Sequence, residues 1–224
     1  AGHRRRHHAA IWQRPCGPAG FGLRRSPVAP GEPALYEEGM SAKPRRTTYR
    51  HGNLRAEALD AATRLVAAHG HERLSLREVA EEVGVAHRSL YNHFVHREAL
   101  LDAVATEAYL RLAASLAKAK TPADYTERYV RFALANRALH ALMASRPHAT
   151  MKHNPPLQTA VHKVITEAMR IFAHDIAEPA ERRRAVMKVY ITLYGGISLY
   201  AAGVLDQPSE KALIAELSAM IAKP

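Results

Sequence analysis

VAHRSLYNHF, residues 85–94, is apolar at its ends and polar between them. His87, Arg88, Ser89, Tyr91, Asn92 and His93 surround one aliphatic residue, Leu90. A core helix would carry more apolar side chains, and a helix facing only water more Glu and Lys. A short helix rich in varied donors and free of acids suits a surface that reads another molecule.

The upstream flank says what kind of surface. Ser75 caps a helix, and Glu78 three residues on completes a capping box. Leu76, Val79, Ala80 and Val83 give that helix an apolar side, and Gly84 breaks it. A helix over 75–83, a turn at Gly84-Val85 and a second helix over 86–93 have the spacing of a helix-turn-helix. Gly84 is free to take φ > 0 in the tight turn. Val79, Val83, Val85 and Leu90 lock the pair from inside, which leaves His87, Arg88, Ser89, Tyr91 and Asn92 outward. In this motif the N-terminal part of the second helix enters the major groove. Arg bonds guanine O6 and N7, and Asn bonds adenine N6 and N7. Tyr, Ser and His suit phosphate oxygens. On pattern alone, a helical hairpin with a polar face is the alternative.

The rest of the chain fits a polyanion-binding protein. Its 224 residues carry a net charge of +11, and 47% are hydrophobic, enough for a core. A single cysteine, Cys16, excludes an internal disulfide and a Cys-based zinc site. No apolar run reaches the roughly 18–20 residues of a membrane span, and AGHRRRHHAA at the start is not followed by a signal-peptide core. These features predict a soluble, cytoplasmic protein with no membrane partner and no cofactor.

Residues 1–39, rich in Pro, Gly and Arg, have no helical or alternating pattern. Glu37-Glu38-Gly39 is encodable by a purine-rich run resembling a ribosome-binding site ahead of Met40. The segment reads as a disordered extension or as upstream sequence read as protein. Residues 40–52 form a basic arm with Lys43, Arg45, Arg46 and Arg50 and no acid, or a solvated leader.

Beyond Asn53 the pattern is helical throughout. Asn53 caps a helix to His69, ended by Gly70. A long helix runs from His96 to about Lys118. Thr121-Pro122 opens a run through Met143, residues 146–156 form a loop, and Asn154-Pro155, Glu178-Pro179 and Pro208-Ser209 open the last three helices. The fold class is all-α, a three-helix domain followed by a helical bundle, with about nine helices.

The stretch SLREVAEEVGVAHRSLYNHFVHREALLDAV closely resembles the DNA-binding domain of TetR-type transcriptional regulators. The marks are Gly84-Val85, Leu90-Tyr91, His93-Phe94 and Arg97-Glu98-Ala99-Leu100, with Arg97 where the family more often has Lys. YVRFALANRALHALM (129–143) and TLYGGISLYAAG (192–203) are similar to the regulatory half of one TetR subgroup, with Tyr190 and Gly195-Gly196 standing where that subgroup usually has Trp and His-Gly. The resemblance runs from about Asn53 to the end. It implies a DNA-binding domain over 53–99 and a ligand-binding and dimerisation domain over 100–224. It implies that Arg77 reaches a base, that His87, Arg88, Ser89 and Asn92 face the groove, and that Ser75, Tyr91, His93 and Arg97 hold phosphates, with Arg45 and Arg46 from the arm. For His93 a buried packing role is the alternative.

The C-terminal half is rich in aromatics that suit a small-effector pocket or ordinary packing. Tyr129, Phe132, Met143, Met169, Phe172, Tyr190 and Tyr194 are the expected lining. The small-residue patch at Gly195, Gly196 and Ser198, with Leu199, Leu213 and Leu217, is the expected dimer interface; the other reading is that the glycines break the helix. His140, His148, His153, His162 and His174 lack i, i+4 spacing and a partner carboxylate, so they are expected on the surface, with no metal. No nucleophile elbow, phosphate loop or HExxH occurs, so no enzyme is expected. The expected function is a dimeric repressor released from a palindromic double-stranded operator by a small molecule. Two other readings stay open: a small-molecule-binding protein that no longer reads DNA, and an enzyme built on the bundle.

Overall fold

Local capping chemistry sets where most helices begin. The computed structural model describes residues 53–222, in which ten helices follow one another and no strand occurs. The extension 1–39 and the arm with Arg45 and Arg46 lie outside the described residues. The helices are α1 (Leu54–His69), α2 (Leu76–Val83), α3 (His87–Tyr91), α4 (Arg97–Leu116) and α5 (Pro122–Ala135). After them come α6 (Arg137–Ala144), α7 (His148–Met151), α8 (Pro155–Phe172), α9 (Pro179–Ala201) and α10 (Glu210–Ala222).

At α2 the Ser75 hydroxyl accepts from Glu78 N at 3.1 Å and the Glu78 carboxylate accepts from Ser75 N at 2.9 Å, so both halves of the capping box form. Thr121, Asn154 and Glu178 cap α5, α8 and α9 through their side chains, each with Pro in the first turn. Asn53 precedes α1 without a side-chain capping bond. His96 is a cap that the sequence reading leaves out: its Nδ1 accepts from Ala99 N at 3.0 Å.

The run 121–143 is not one helix. It breaks at Asn136, where φ is −129° and ψ 47°. The Asn136 amide donates to Phe132 O at 2.9 Å, which closes α5. The break redirects α6 so that it packs on both α1 and α4, tying the first helices to the bundle. The expected loop after Arg146 holds the single turn of α7.

Two parts of one continuous core result. Ala58, Ala62, Val66, Val79, Leu90 and Phe94 close the first three helices around Leu100 and Leu101 of α4. Leu112, Leu116, Leu142, Leu157, Leu193 and Leu217 fill the bundle, in which α8 lies along α4. Burying each such leucine contributes about 1.5–3 kcal/mol. At 1.5 Å per residue, the 20-residue α4 is about 30 Å long and spans both parts.

α9 continues unbroken through Gly195-Gly196, so the glycines do not break the helix. A Cβ at Gly196 would stand 2.3 Å from Leu217 Cδ2 of α10, whereas one at Gly195 would meet nothing within 4 Å. Gly196 is therefore required by close approach inside the chain, and Gly195 is open.

Candidate functional site

The turn between α2 and α3 is tight because Gly84 takes φ 78°, ψ 33°, a left-handed conformation that costs a side-chain-bearing residue energy. The N–H groups of Gly84 and Val85 both donate to Ala80 O at 2.9 Å. Leu90 and Phe94, fully enclosed, anchor α3 from beneath. The helix is shorter than the sequence predicts: Asn92 and His93 form its closing turn. His87, Arg88, Tyr91, Asn92 and His93 are all exposed, and Ser89 is half-buried. The exposure of His93 sets aside its packing alternative. The His87 and Tyr91 rings meet edge-on at 5.0 Å, which orders the outward face. Arg77 on α2 is exposed and pairs with Glu81 at 2.9 Å, an exposed ion pair that exchanges readily for another acceptor.

Two residues expected on phosphate have internal partners. The Ser75 hydroxyl serves the capping box, donating to Glu78 Oε2 at 3.0 Å while it accepts from Glu78 N. Arg97 is a clasp: Nε donates to Leu74 O at 2.7 Å, and Nη2 donates to His71 O at 2.5 Å and Glu72 O at 3.0 Å. Its Nη1 donates to Glu98. The loop between α1 and α2 has carbonyls without helical partners, and this guanidinium satisfies them. That moves Arg97 from the phosphate-contact set to the frame of the motif.

A cavity of about 460 Å³ lies among α4, α5, α6, α8 and α9. Of the seven expected lining residues, Tyr129, Met143, Met169, Tyr190 and Tyr194 border it. Phe132 and Phe172 do not; Phe172 stands behind the wall, edge-on to Tyr125 at 5.0 Å. Tyr109, Tyr125, His140, Arg146 and Arg183 also line the cavity. His140 is buried rather than on the surface, because α6 turns inward after the break at Asn136. Its Nε2 lies 3.3 Å from the Tyr129 hydroxyl, and the Tyr109 hydroxyl donates to Met143 O at 3.0 Å. Burial lowers the His140 pKa and is the first cause raising those of Tyr109, Tyr125, Tyr129 and Tyr190, so these groups are neutral near pH 7. No Asp or Glu of the described residues lines the cavity.

Arg146 joins this cavity to the start of α4 beside the helix-turn-helix. Its Nη1 donates to Glu98 Oε2 at 2.8 Å and Asp102 Oδ1 at 3.3 Å, both on the first turns of α4. Asn154 Nδ2 adds a bond to Asp102 Oδ2 at 3.1 Å. Burial raises the Glu98 pKa, but the Arg146 and Arg97 guanidiniums outweigh it and hold the carboxyl below its ordinary value. A continuous polar chain thus runs from the cavity wall through Arg146, Glu98 and Arg97 to the loop carbonyls before α2.

The expected dimer residues divide. Leu213 and Leu217 are turned into the chain's own core and present no outer face, and Gly196, half-buried, is packed against Leu217. Ser198 and Leu199 are exposed and Gly195 half-buried, beside exposed Ile191 on α9. The described residues hold no cluster of three metal-ligating side chains and no helix long and apolar enough to cross a membrane.

A family model described as bacterial regulatory proteins, tetR family, matches residues 58–104. A second, described as a tetracyclin repressor-like C-terminal domain, matches residues 123–221. A solved protein of unknown function from Rhodococcus sp. RHA1 is 31% identical, with a TM-score of 0.65 over 78% of this chain and 96% of its own. A TetR transcriptional regulator from Rhodococcus sp. RHA1 is 22% identical, with a TM-score of 0.56 over 77% of this chain and 97% of its own. The fatty acid degradation regulator FadR from Bacillus halodurans is 15% identical, with a TM-score of 0.57 over 76% and 95%. The last two share the fold. No curated protein matches.

Proposed function

The chain belongs to the TetR family of bacterial regulatory proteins, and from that premise we propose that it is a dimeric repressor that a small molecule releases from a palindromic operator. DNA binding and transcription regulation are the family's business; the repressor role, the effector and the dimer are the finer reading. One observation carries it. An outward helix of donors without an acid and a largely apolar cavity occur in the same chain, linked by Arg146 and α4.

In this reading residues 40–52 are an arm whose Arg45 and Arg46 meet phosphates, 53–99 read DNA, and 100–224 bind the effector and the second copy. Arg77, His87, Arg88, Ser89 and Asn92 meet bases, while Tyr91 and His93 meet phosphates. The effector occupies the cavity against Tyr129, Met143, Met169, Tyr190 and Tyr194. Two copies associate through the outer stripe of α9, with Ile191, Gly195, Ser198 and Leu199, and through Met220 of α10. A single motif reads only a few base pairs, and two on a symmetry axis read half-sites about 34 Å apart or more. Effector binding shifts the spacing of the two heads only by its differential affinity for the two arrangements. Arg146 is where that difference reaches α4.

The test is selection of bound duplexes from a random or genomic pool, with sedimentation of the free protein. An enriched inverted repeat and twice the chain mass support the reading. A chain that sediments as a monomer at micromolar concentration and enriches nothing contradicts it, and leaves a small-molecule-binding protein that does not read DNA.

A further inference from the structure

The cavity's charges limit what can fill it, given its reading as the effector site. A cation entering it would lose hydration and gain no counter-charge, since no carboxylate of the described residues lines the wall. Two guanidiniums do. Arg146 is held by Glu98 and Asp102. Arg183 is exposed and pairs with no acid among the described residues.

Arg183 marks the mouth. On α9 it shares a stripe with Met187, Tyr190 and Tyr194, three and four positions apart. All four border the cavity and are exposed, so this stripe is its rim. Deeper in, two of the polar groups are occupied: Tyr129 faces His140, and Tyr109 donates to Met143 O. Leu112, Val164, Ile165, Val186 and Leu193 supply apolar wall. The volume of about 460 Å³ falls in the range that encloses a small organic molecule. An occupant is therefore met inside by mostly apolar wall with neutral phenols and by one cation at the opening. A guanidinium fork matches a carboxylate in two parallel bonds, and one positive charge matches one negative charge.

We propose that the effector is an apolar monocarboxylic acid, with its carboxylate on Arg183 at the rim and its alkyl or aryl body in the cavity.

The experiment titrates the full-length protein by calorimetry with two matched sets. One is decanoic acid, methyl decanoate and decylamine; the other is 4-phenylbutyric acid, its methyl ester and 4-phenylbutylamine. In at least one set the acid should bind roughly tenfold or more tighter than the amine and the ester. Arg183→Gln should weaken that acid roughly tenfold and leave the ester within about twofold. Because Arg183 is exposed, the unliganded melting temperature of the variant should match that of the parent, which separates a lost contact from a lost fold. Amine or ester binding as tightly as the acid, or Arg183→Gln weakening acid and ester alike, would overturn the acid assignment and leave the effector cavity standing. No binding by any member of either set would overturn both.

Discussion

Arg146→Met removes the charge that joins the cavity wall to α4 and keeps a long apolar side chain. The Arg146 side chain is 8% exposed, Asp102 16% and Glu98 54%. Removing one partner of a fully buried ion pair costs about 3–5 kcal/mol, because the other charge is left alone. Here neither acid is left alone. Asn154 still donates to Asp102 at 3.1 Å, and Arg97 still pairs with Glu98. The Glu98 share is that of a surface pair, about 0–1 kcal/mol. The Asp102 share is that of a lost hydrogen bond between charges, about 1.5–3 kcal/mol. Urea unfolding at fixed protein concentration should therefore show a loss of about 1.5–4 kcal/mol, read as a shifted midpoint at constant m. Combined with Asp102→Asn, the double variant should lose less than the sum of the singles by about 1–2 kcal/mol. Additivity within about 0.3–0.5 kcal/mol would refute the pairing, and with it Arg146 as the link between cavity and head.

Three further outcomes follow from the same geometry. Arg97→Ala should destabilise the fold by about 1.5–3 kcal/mol, since it uncovers the carbonyls of His71, Glu72 and Leu74, while the salt dependence of DNA binding stays as in the parent; a slope reduced by about one unit with unchanged stability would return Arg97 to the phosphates. Gly195→Ala should raise the unfolding free energy by up to about 1 kcal/mol through helix propensity, whereas Gly196→Ala should lower it, because about 1–3 kcal/mol of overpacking against Leu217 outweighs that gain; equal shifts of the urea midpoint would show that α10 does not approach α9 at Gly196. With pH, His140 and Glu98 act in successive windows: the unfolded chain protonates His140 first, so stability falls as pH drops below about 6.5, and the Glu98 contribution, present above the ordinary carboxylate range, is lost as pH falls through its lowered native value. Melting curves for the parent and His140→Phe should diverge in slope across the first window, and parallel curves would place His140 in water.

What the sequence revealed was local chemistry. Ser75 with Glu78, Thr121-Pro122, Asn154-Pro155 and Glu178-Pro179 mark helix starts because a cap bonds within three residues of itself. The helix-turn-helix was legible for the same reason, since Gly84 and the apolar side of α2 lie within one short segment. The break at Asn136 was not, because an Asn tolerates helix until neighbours decide, and here α6 must reach both α1 and α4. His140 and Arg146 follow from that break. A signal for Arg146 did exist: Glu98 and Asp102, four positions apart, put two acids on one face of α4 and call for a cation. Arg97 misled because its partners lie more than twenty residues back in the loop before α2. Leu213 and Leu217 misled because the face an apolar helix buries is set by its neighbour, and that neighbour is α9 of the same chain.

That α3 reads bases is tested most directly at Arg88. The measurement is the affinity of Arg88→Ala, relative to the parent, for the selected duplex and for random duplex of equal length at one salt concentration. The account predicts a loss of about 1–3 kcal/mol on the selected sequence, roughly 5- to 150-fold, with affinity for random DNA nearly unchanged. An equal loss on both duplexes would make Arg88 a phosphate contact and contradict base reading at that position, and no loss on either would take α3 out of the interface.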